Sequence, residues 1–109
     1  MTLPTSLKIN GFIFKVKESD DACREGNCYG SMHGATQTIF IDPTATDQKK
    51  KETLLHELIH AVAWTSGLSR RLDDSKREEE IVTSLSFGIY QVLSDNGMLT
   101  GFGEDNAKI

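Results

Sequence analysis

The chain has 109 residues, of which 38% are hydrophobic and 26% are charged, and it contains only two prolines. This composition is typical of one ordinary globular domain and argues against a low-complexity chain. The 16 acidic residues outnumber the 12 basic ones, which gives a formal net charge of −4. We therefore expect no nucleic-acid partner, because such binding requires a basic surface that neutralises phosphates.

The sequence also predicts a cytoplasmic protein with no membrane partner. No apolar stretch approaches the span of a bilayer, and the N-terminus lacks the charged and apolar blocks of a signal peptide. Two cysteines, Cys23 and Cys28, have no further Cys or His nearby at zinc-ligand spacing. We interpret them as free thiols, because a disulfide requires an oxidising compartment that nothing else in the sequence supports.

The N-terminal part of the chain predicts a small antiparallel sheet of about three strands. Apolar residues alternate over residues 7–17, and their phase slips by one at Asn10-Gly11. Such a slip indicates a bulge or a tight bend in an early strand or hairpin. Residues 28–33 and 36–41 are typical of two further short strands.

Two helices are predicted after the sheet. The first extends over about residues 48–66, with Gly67 as a left-handed C-cap, and we expect Trp64 to lie in the core. The second begins with Ser75 and Glu78 in a capping-box pattern and continues as an amphipathic repeat. The apolar positions of that repeat are Ile81, Val82, Leu85, Ile89, Val92 and Leu93.

The order of these elements predicts an α+β fold, in which the small sheet packs on two main helices. No internal repeat or linker divides the sequence, so residues 1–109 are interpreted as a single domain. Residues 97–109 are rich in glycine and polar groups, and we expect this tail to be loose.

The first predicted helix contains an H-E-x-x-H motif formed by His56, Glu57 and His60. Residues four positions apart lie on one helix face, so both imidazoles can reach one ion at the usual Zn–N distance of about 2.0–2.1 Å. Glu57 is not a ligand in this geometry but stands where it can act as general base on a zinc-bound water. Because the flanking residues are apolar, burying these groups would be costly unless a metal satisfied them.

A catalytic zinc requires a third protein ligand besides the two histidines. The remaining histidine, His33, lies in the predicted sheet, so we expect a carboxylate from the three consecutive glutamates of the second helix. Glu79 lies on the polar flank of the apolar stripe and is our choice. Glu78 fits the capping-box role and is the alternative, whereas Glu80 points away from the stripe towards solvent.

Three segments carry a resemblance to a known family: "GATQTIFID", "TLLHELIHAV" and "EEEIVTSLSFGIYQVL". They resemble small zincin-like proteins of phages and bacterial mobile elements, which are relatives of the ImmA/IrrE-type metallopeptidases. The resemblance covers about residues 7–96 and implies a minimal zincin-like architecture. It implies zinc bound by His56, His60 and Glu79, with Glu57 as general base. ImmA-type proteins act on DNA-binding repressors, so the resemblance implies a regulatory protein as substrate in a bacterial or phage-infected cell.

The sequence therefore predicts a zinc-dependent metallopeptidase, an endopeptidase that acts on a protein or peptide. We expect the substrate to extend the sheet along residues 37–41 through backbone hydrogen bonds. Tyr90, Tyr29 and His33 are candidate donors to the oxyanion. The alternative is a non-catalytic interaction protein in which zinc acts as a structural staple. A structural site of that kind would have no use for Glu57.

Overall fold

The computed structural model describes residues 3–20 and 28–102, which form a four-stranded sheet and three α-helices. The strands are β1 (Ser6–Ile9), β2 (Phe12–Glu18), β3 (Gly30–His33) and β4 (Thr38–Ile41). The helices are α1 (Asp47–Ser66), α2 (Leu68–Leu72) and α3 (Ser75–Asp95), and a 3-10 turn follows at Thr100–Phe102. The predicted α+β class, a small sheet packed on two long helices, is confirmed.

The sheet has the strand order β1-β2-β4-β3 and is mixed rather than purely antiparallel. β1 pairs antiparallel with β2, and β3 pairs antiparallel with β4, but β2 and β4 run parallel. The sheet has four strands instead of the predicted three, because residues 7–17 form two strands, β1 and β2. The chain reverses between them at Asn10 and Gly11, whose φ angles are 49° and 88°. Asn and Gly adopt positive φ more easily than other residues, so the phase slip marks a complete hairpin turn.

The position of β4 excludes the predicted mode of substrate binding. β4 lies between β2 and β3, so its backbone groups are already paired on both sides. The expectation that a substrate adds to the sheet along residues 37–41 is therefore wrong. Among the described strands, β1 and β3 are the edges, and β3 also contacts α1.

Helix α1 is the central layer of the fold. One side of α1 contacts β1, β3 and β4, and another side contacts α3. Burial of apolar side chains between the sheet and α1 is the main force that holds these layers together. The buried cluster consists of Leu3, Ile9, Phe14, Val16, Ile39, Ile41, Leu54 and Ala61, with Phe102 packed against it. The middle turns of α1 consequently lie between the sheet and α3.

Helix α3 uses only a narrow face to pack against the rest of the chain. Of its side chains, Val82 and Ser86 are buried, whereas Leu85, Ile89 and Val92 are exposed. The amphipathic repeat read from the sequence thus contributes less to the core than its length suggests. None of the described helices is both long enough and apolar enough to cross a membrane.

The beginning of α3 differs from the predicted capping box. Asp74 is the N-cap residue, and its Oδ1 accepts hydrogen bonds from the backbone N–H groups of Lys76 and Arg77, each at 3.1 Å. Ser75 is the first residue of the helix instead of its cap. The prediction failed because two neighbouring residues can both cap a helix, and the carboxylate of Asp74 competes for the same donors. Glu78 is therefore not needed to cap α3.

Cys28 is disulfide-bonded, so the prediction of a free thiol is wrong for this residue. That prediction was based on the expected compartment rather than on the geometry around the cysteine. Cys23 lies outside the described residues.

Trp64 lies at the surface, with 52% of its area exposed, so the prediction that it belongs to the core is wrong. Its indole ring packs over the turn between β3 and β4. A Cβ atom added to Gly34 would lie 2.3 Å from the ring atom Cε2. The close approach of ring and turn therefore requires glycine at this position.

We expect Gly34→Ala to displace the indole of Trp64 into solvent and to shift its fluorescence emission to longer wavelength. Trp64 is the only tryptophan in the sequence, so the spectrum reports this contact alone. The ring is already half exposed, so it can swing away at little cost in stability. Gly101→Ala is a suitable control, because a Cβ there meets no atom within 4 Å. An unchanged spectrum in Gly34→Ala would contradict the packing described.

Candidate metal centre

The structure brings together His56, His60 and Glu79. Their ligand atoms all lie within 4.8 Å of one another. The two histidines are one turn apart on α1, with ring centroids separated by 5.0 Å. Glu79 Oε2 is 3.1 Å from His56 Nε2, and Glu79 Oε1 is 2.7 Å from His60 Nε2. Two imidazole nitrogens and a carboxylate are a donor set that zinc accepts, so these residues fit the metal.

The packing of α3 explains how Glu79 reaches the histidines. Val82 and Ser86, three and seven positions after Glu79, are the buried residues that face α1. Helical periodicity therefore turns Glu79 towards α1 as well. Its side chain is 55% exposed, whereas Val82 and Ser86 are buried. The Thr83 hydroxyl donates to Glu79 Oε2 at 3.3 Å and helps to hold the carboxylate.

The alternative ligand, Glu78, occupies a different position. Its Oε2 lies 2.7 Å from Nδ1 of His60, whereas Glu79 lies at Nε2 of the same ring. The two nitrogens of an imidazole point in divergent directions, so Glu78 and Glu79 cannot share one ion through this ring. Of the two carboxylates, that of Glu79 is therefore the one close to Nε2 of both His56 and His60.

Glu57 is buried beside this cluster, with only 8% of its area exposed. Burial raises the pKa of its carboxyl from 4.5 to about 7, and the charge of Glu79 adds to this effect while His60 opposes it. A carboxyl that titrates near neutral pH can both accept and release a proton. The general-base role of Glu57 stays a prediction.

The two histidines respond differently to their surroundings. Burial lowers the pKa of His56, and the carboxylate of Glu79 offsets this only in part. Burial also acts to lower the pKa of His60, but the hydrogen bonds to Glu78 and Glu79 outweigh it, so the pKa is raised. His60 therefore favours a positive charge held between two carboxylates. A bound cation would take over that charge when it replaces the proton.

A cleft with a volume of about 510 Å³ is lined by His56, Glu57, His60 and Glu79. One wall comes from the segment leading into β3, the floor comes from α1, and the opposite wall comes from α3. Tyr29 and Phe87 stand at the two sides and are 48% and 68% exposed. The Nζ of Lys49 lies 4.6 Å from the centroid of the Tyr29 ring. The lining comprises Cys28, Tyr29, Gly30, Lys49, Glu52, Thr53, His56, Glu57, His60, Glu79, Thr83, Ser86 and Phe87.

Three residues were predicted as candidate donors to the oxyanion. Tyr29 lines the cleft, whereas His33 and Tyr90 do not. The His33 ring lies 3.2 Å from the Ser31 hydroxyl and packs edge-to-face on Phe40. Tyr29 is therefore the candidate that the geometry favours.

Gly30 permits β3 to approach α1 closely, a role that was not predicted from the sequence. A Cβ at this position would lie 2.6 Å from Thr53 Cγ2 and 2.9 Å from the backbone oxygen of Phe40. It would also lie 3.4 Å from Cγ of Glu57. Glycine inside a strand can mark such an approach of backbone to a neighbour, and this was the available signal.

We expect Gly30→Ala to lower the free energy of unfolding by about 1–3 kcal/mol, because the added methyl group overpacks the contact between β3 and α1. Gly88→Ala is the matched control. A Cβ at Gly88 meets no atom within 4 Å, and alanine in a helix is favoured over glycine by roughly 0.5–1 kcal/mol. Urea denaturation of both variants measures the difference. Equal stability in the two variants would contradict the contact described for Gly30.

The site thus combines a donor set suitable for zinc with a buried carboxyl at the floor of an open cleft. Such an arrangement can bind a metal and move a proton at a substrate held in the cleft. Comparisons with models of protein families, with curated proteins and with solved structures found no match.

Proposed function

We propose that the chain is a zinc-dependent metallopeptidase that hydrolyses a peptide bond within a protein or peptide. The observation that supports this most strongly is the convergence of His56, His60 and Glu79 within 4.8 Å. Three protein ligands leave one coordination position for water, which distinguishes a catalytic zinc from a closed structural one. The buried Glu57 beside them supports hydrolysis rather than simple metal storage.

In the proposed mechanism, a zinc ion bound at this site would supply Lewis acidity for the hydrolysis. Glu57 would accept the proton from the water and pass it to the leaving amine. Burial beside the proposed ligands keeps this carboxyl away from bulk solvent. His56, His60 and Glu79 would hold the metal at the floor of the cleft. The hydroxyl of Tyr29 is the proposed donor to the oxyanion.

The substrate is proposed to bind along β3. This edge strand contacts α1, and its first residue, Gly30, lies against Thr53 and Glu57. An extended peptide that pairs with the backbone of an edge strand is fixed by main-chain hydrogen bonds. Pairing with β3 would place such a peptide across the cleft.

The sequence around the motif also resembles small zincin-like proteins of phages and mobile elements, which are relatives of the ImmA/IrrE-type metallopeptidases. That resemblance suggests a regulatory protein, such as a repressor, as the substrate. A cytoplasmic site of action follows from such a substrate.

Peptide hydrolysis is the direct test of this proposal. The zinc-loaded protein would be incubated with a mixture of unstructured peptides, and the products would be identified by mass spectrometry. We expect defined cleavage sites that disappear with a zinc chelator and return when zinc is added. Cleavage that persists in the chelator would contradict the proposal.

A second candidate function is an interaction protein in which zinc only joins the helices. The narrow packing of α3, with Val82 and Ser86 as its buried residues, favours this alternative because a metal between α1 and α3 would stabilise the fold. The two candidates differ at Glu57. Removing its charge would stop a peptidase but would leave a structural zinc and its interactions unchanged.

A further inference from the structure

We propose that Glu78 is a positioning residue that orients His60 for metal binding. The inference rests on the proposed zinc site. Glu78 Oε2 lies 2.7 Å from His60 Nδ1, and the two side chains are only 14% and 15% exposed. With Nδ1 donating to this carboxylate, Nε2 is left as the nitrogen that coordinates. The contact thus determines the tautomer and the direction of the ring.

The location of Glu78 is explained by this contact and not by helix capping. Asp74 already accepts from the first backbone donors of α3, so the Glu78 carboxylate is not needed there. The side chain of Ser69 in α2 hydrogen-bonds to Glu78. Glu78 therefore connects α2 to the His60 ring on α1, which holds the carboxylate in a defined place.

Adjacent residues on α3 contact opposite sides of one imidazole. Successive side chains on an α-helix diverge by about 100°, because 3.6 residues complete a turn. Glu79 can consequently reach Nε2 of His60 while Glu78 reaches Nδ1. Glu79 thus supplies one proposed ligand, and Glu78 orients a second one, His60.

His56 is held more weakly. Its Nδ1 lies 3.4 Å from the Ser86 hydroxyl, which also donates to the backbone oxygen of Thr83 at 3.2 Å. A hydrogen bond to an ionised carboxylate is shorter and stronger than one to a neutral hydroxyl. Loss of Glu78 should therefore affect the metal site more than loss of Ser86.

The test compares zinc affinity and the Co²⁺ absorption spectrum of the wild type with those of Glu78→Ala, Glu78→Gln and Ser69→Ala. We expect Glu78→Ala to lower zinc affinity by roughly 10–100-fold, the usual cost of losing a partner behind a metal ligand. Glu78→Gln keeps an acceptor oxygen and should recover part of this loss. Ser69→Ala should cause a smaller decrease, and the cobalt bands should shift in Glu78→Ala.

Glu80→Gln is the matched control, because it removes the same charge from an exposed neighbour on α3. Wild-type zinc affinity and cobalt bands in Glu78→Ala would overturn the inference and leave the proposed zinc site standing. An equal decrease in Glu80→Gln would also overturn it, because the effect would then reflect net charge. A wild type that binds no zinc would overturn the proposed function and this inference together.

Discussion

Glu79→Ala is expected to remove stoichiometric zinc binding while the chain stays folded. The carboxylate of Glu79 lies between the Nε2 atoms of His56 and His60, at 3.1 Å and 2.7 Å. Without it the two imidazoles make an incomplete site. The loss of affinity should therefore exceed the roughly 10–100-fold that removal of an outer partner costs. The Glu79 side chain is 55% exposed, so its truncation leaves no cavity in the core.

Glu80→Ala provides the matched comparison for this prediction. Glu80 is the next residue on α3, carries the same charge and is exposed. Titration with zinc in competition with a chromophoric chelator measures both variants under identical conditions, and circular dichroism checks the fold. Retention of wild-type affinity in Glu79→Ala would exclude Glu79 as the third ligand.

The second large effect is expected for Glu57→Gln, which should lower peptide hydrolysis by about 10²–10⁴-fold, the usual contribution of a general base. Glutamine keeps the shape of the side chain but cannot take a proton from water. Zinc affinity should stay close to that of the wild type, because Glu57 is proposed to act on the water and not on the metal. Loss of turnover with retained zinc would separate the catalytic role from a structural one.

The stability of Glu57→Gln supplies an internal control. The pKa of Glu57 is raised from 4.5 to about 7 in the fold, so the folded state disfavours the ionised form. In the metal-free wild type, this group should therefore reduce stability as the pH rises from 4.5 to about 7. Glutamine does not ionise, so the metal-free variant should be no less stable than the wild type at pH 8.

Zinc affinity and stability together show whether an inactive Glu57→Gln variant is still intact. If Glu57→Gln cleaves peptides at the wild-type rate, another group must act as the base and the proposed mechanism is wrong. If it loses zinc together with activity, Glu57 contributes to metal binding directly.

The parts of the site that could be predicted from the sequence depend on local helical geometry. The spacing of His56 and His60 places both rings on one face of α1 wherever the helix packs. The phase of α3 likewise distinguishes Glu79 from Glu80, because only one of them can lie beside the face that contacts α1. Helix ends marked by glycine, such as Gly67 with its φ of 85°, are also local features.

The parts that could not be predicted depend on contacts between distant segments. Strand order is one example, because the pattern of a short buried strand does not reveal that β4 lies between β2 and β3. The surface position of Trp64 is another, since it depends on how close the turn at Gly34 comes to the end of α1. The contact of Glu78 with His60 was hidden because a local capping pattern offered a sufficient explanation for the same residue.

We propose above all that the chain holds one zinc ion through His56, His60 and Glu79. The most direct test is the metal content of the purified, untagged protein, measured by elemental analysis and native mass spectrometry before and after addition of zinc. We predict one zinc per chain in the wild type, removable by a chelator and restored on addition. A folded wild type that is free of metal and does not take up added zinc would contradict the claim, and the H-E-x-x-H motif would then be a chance match.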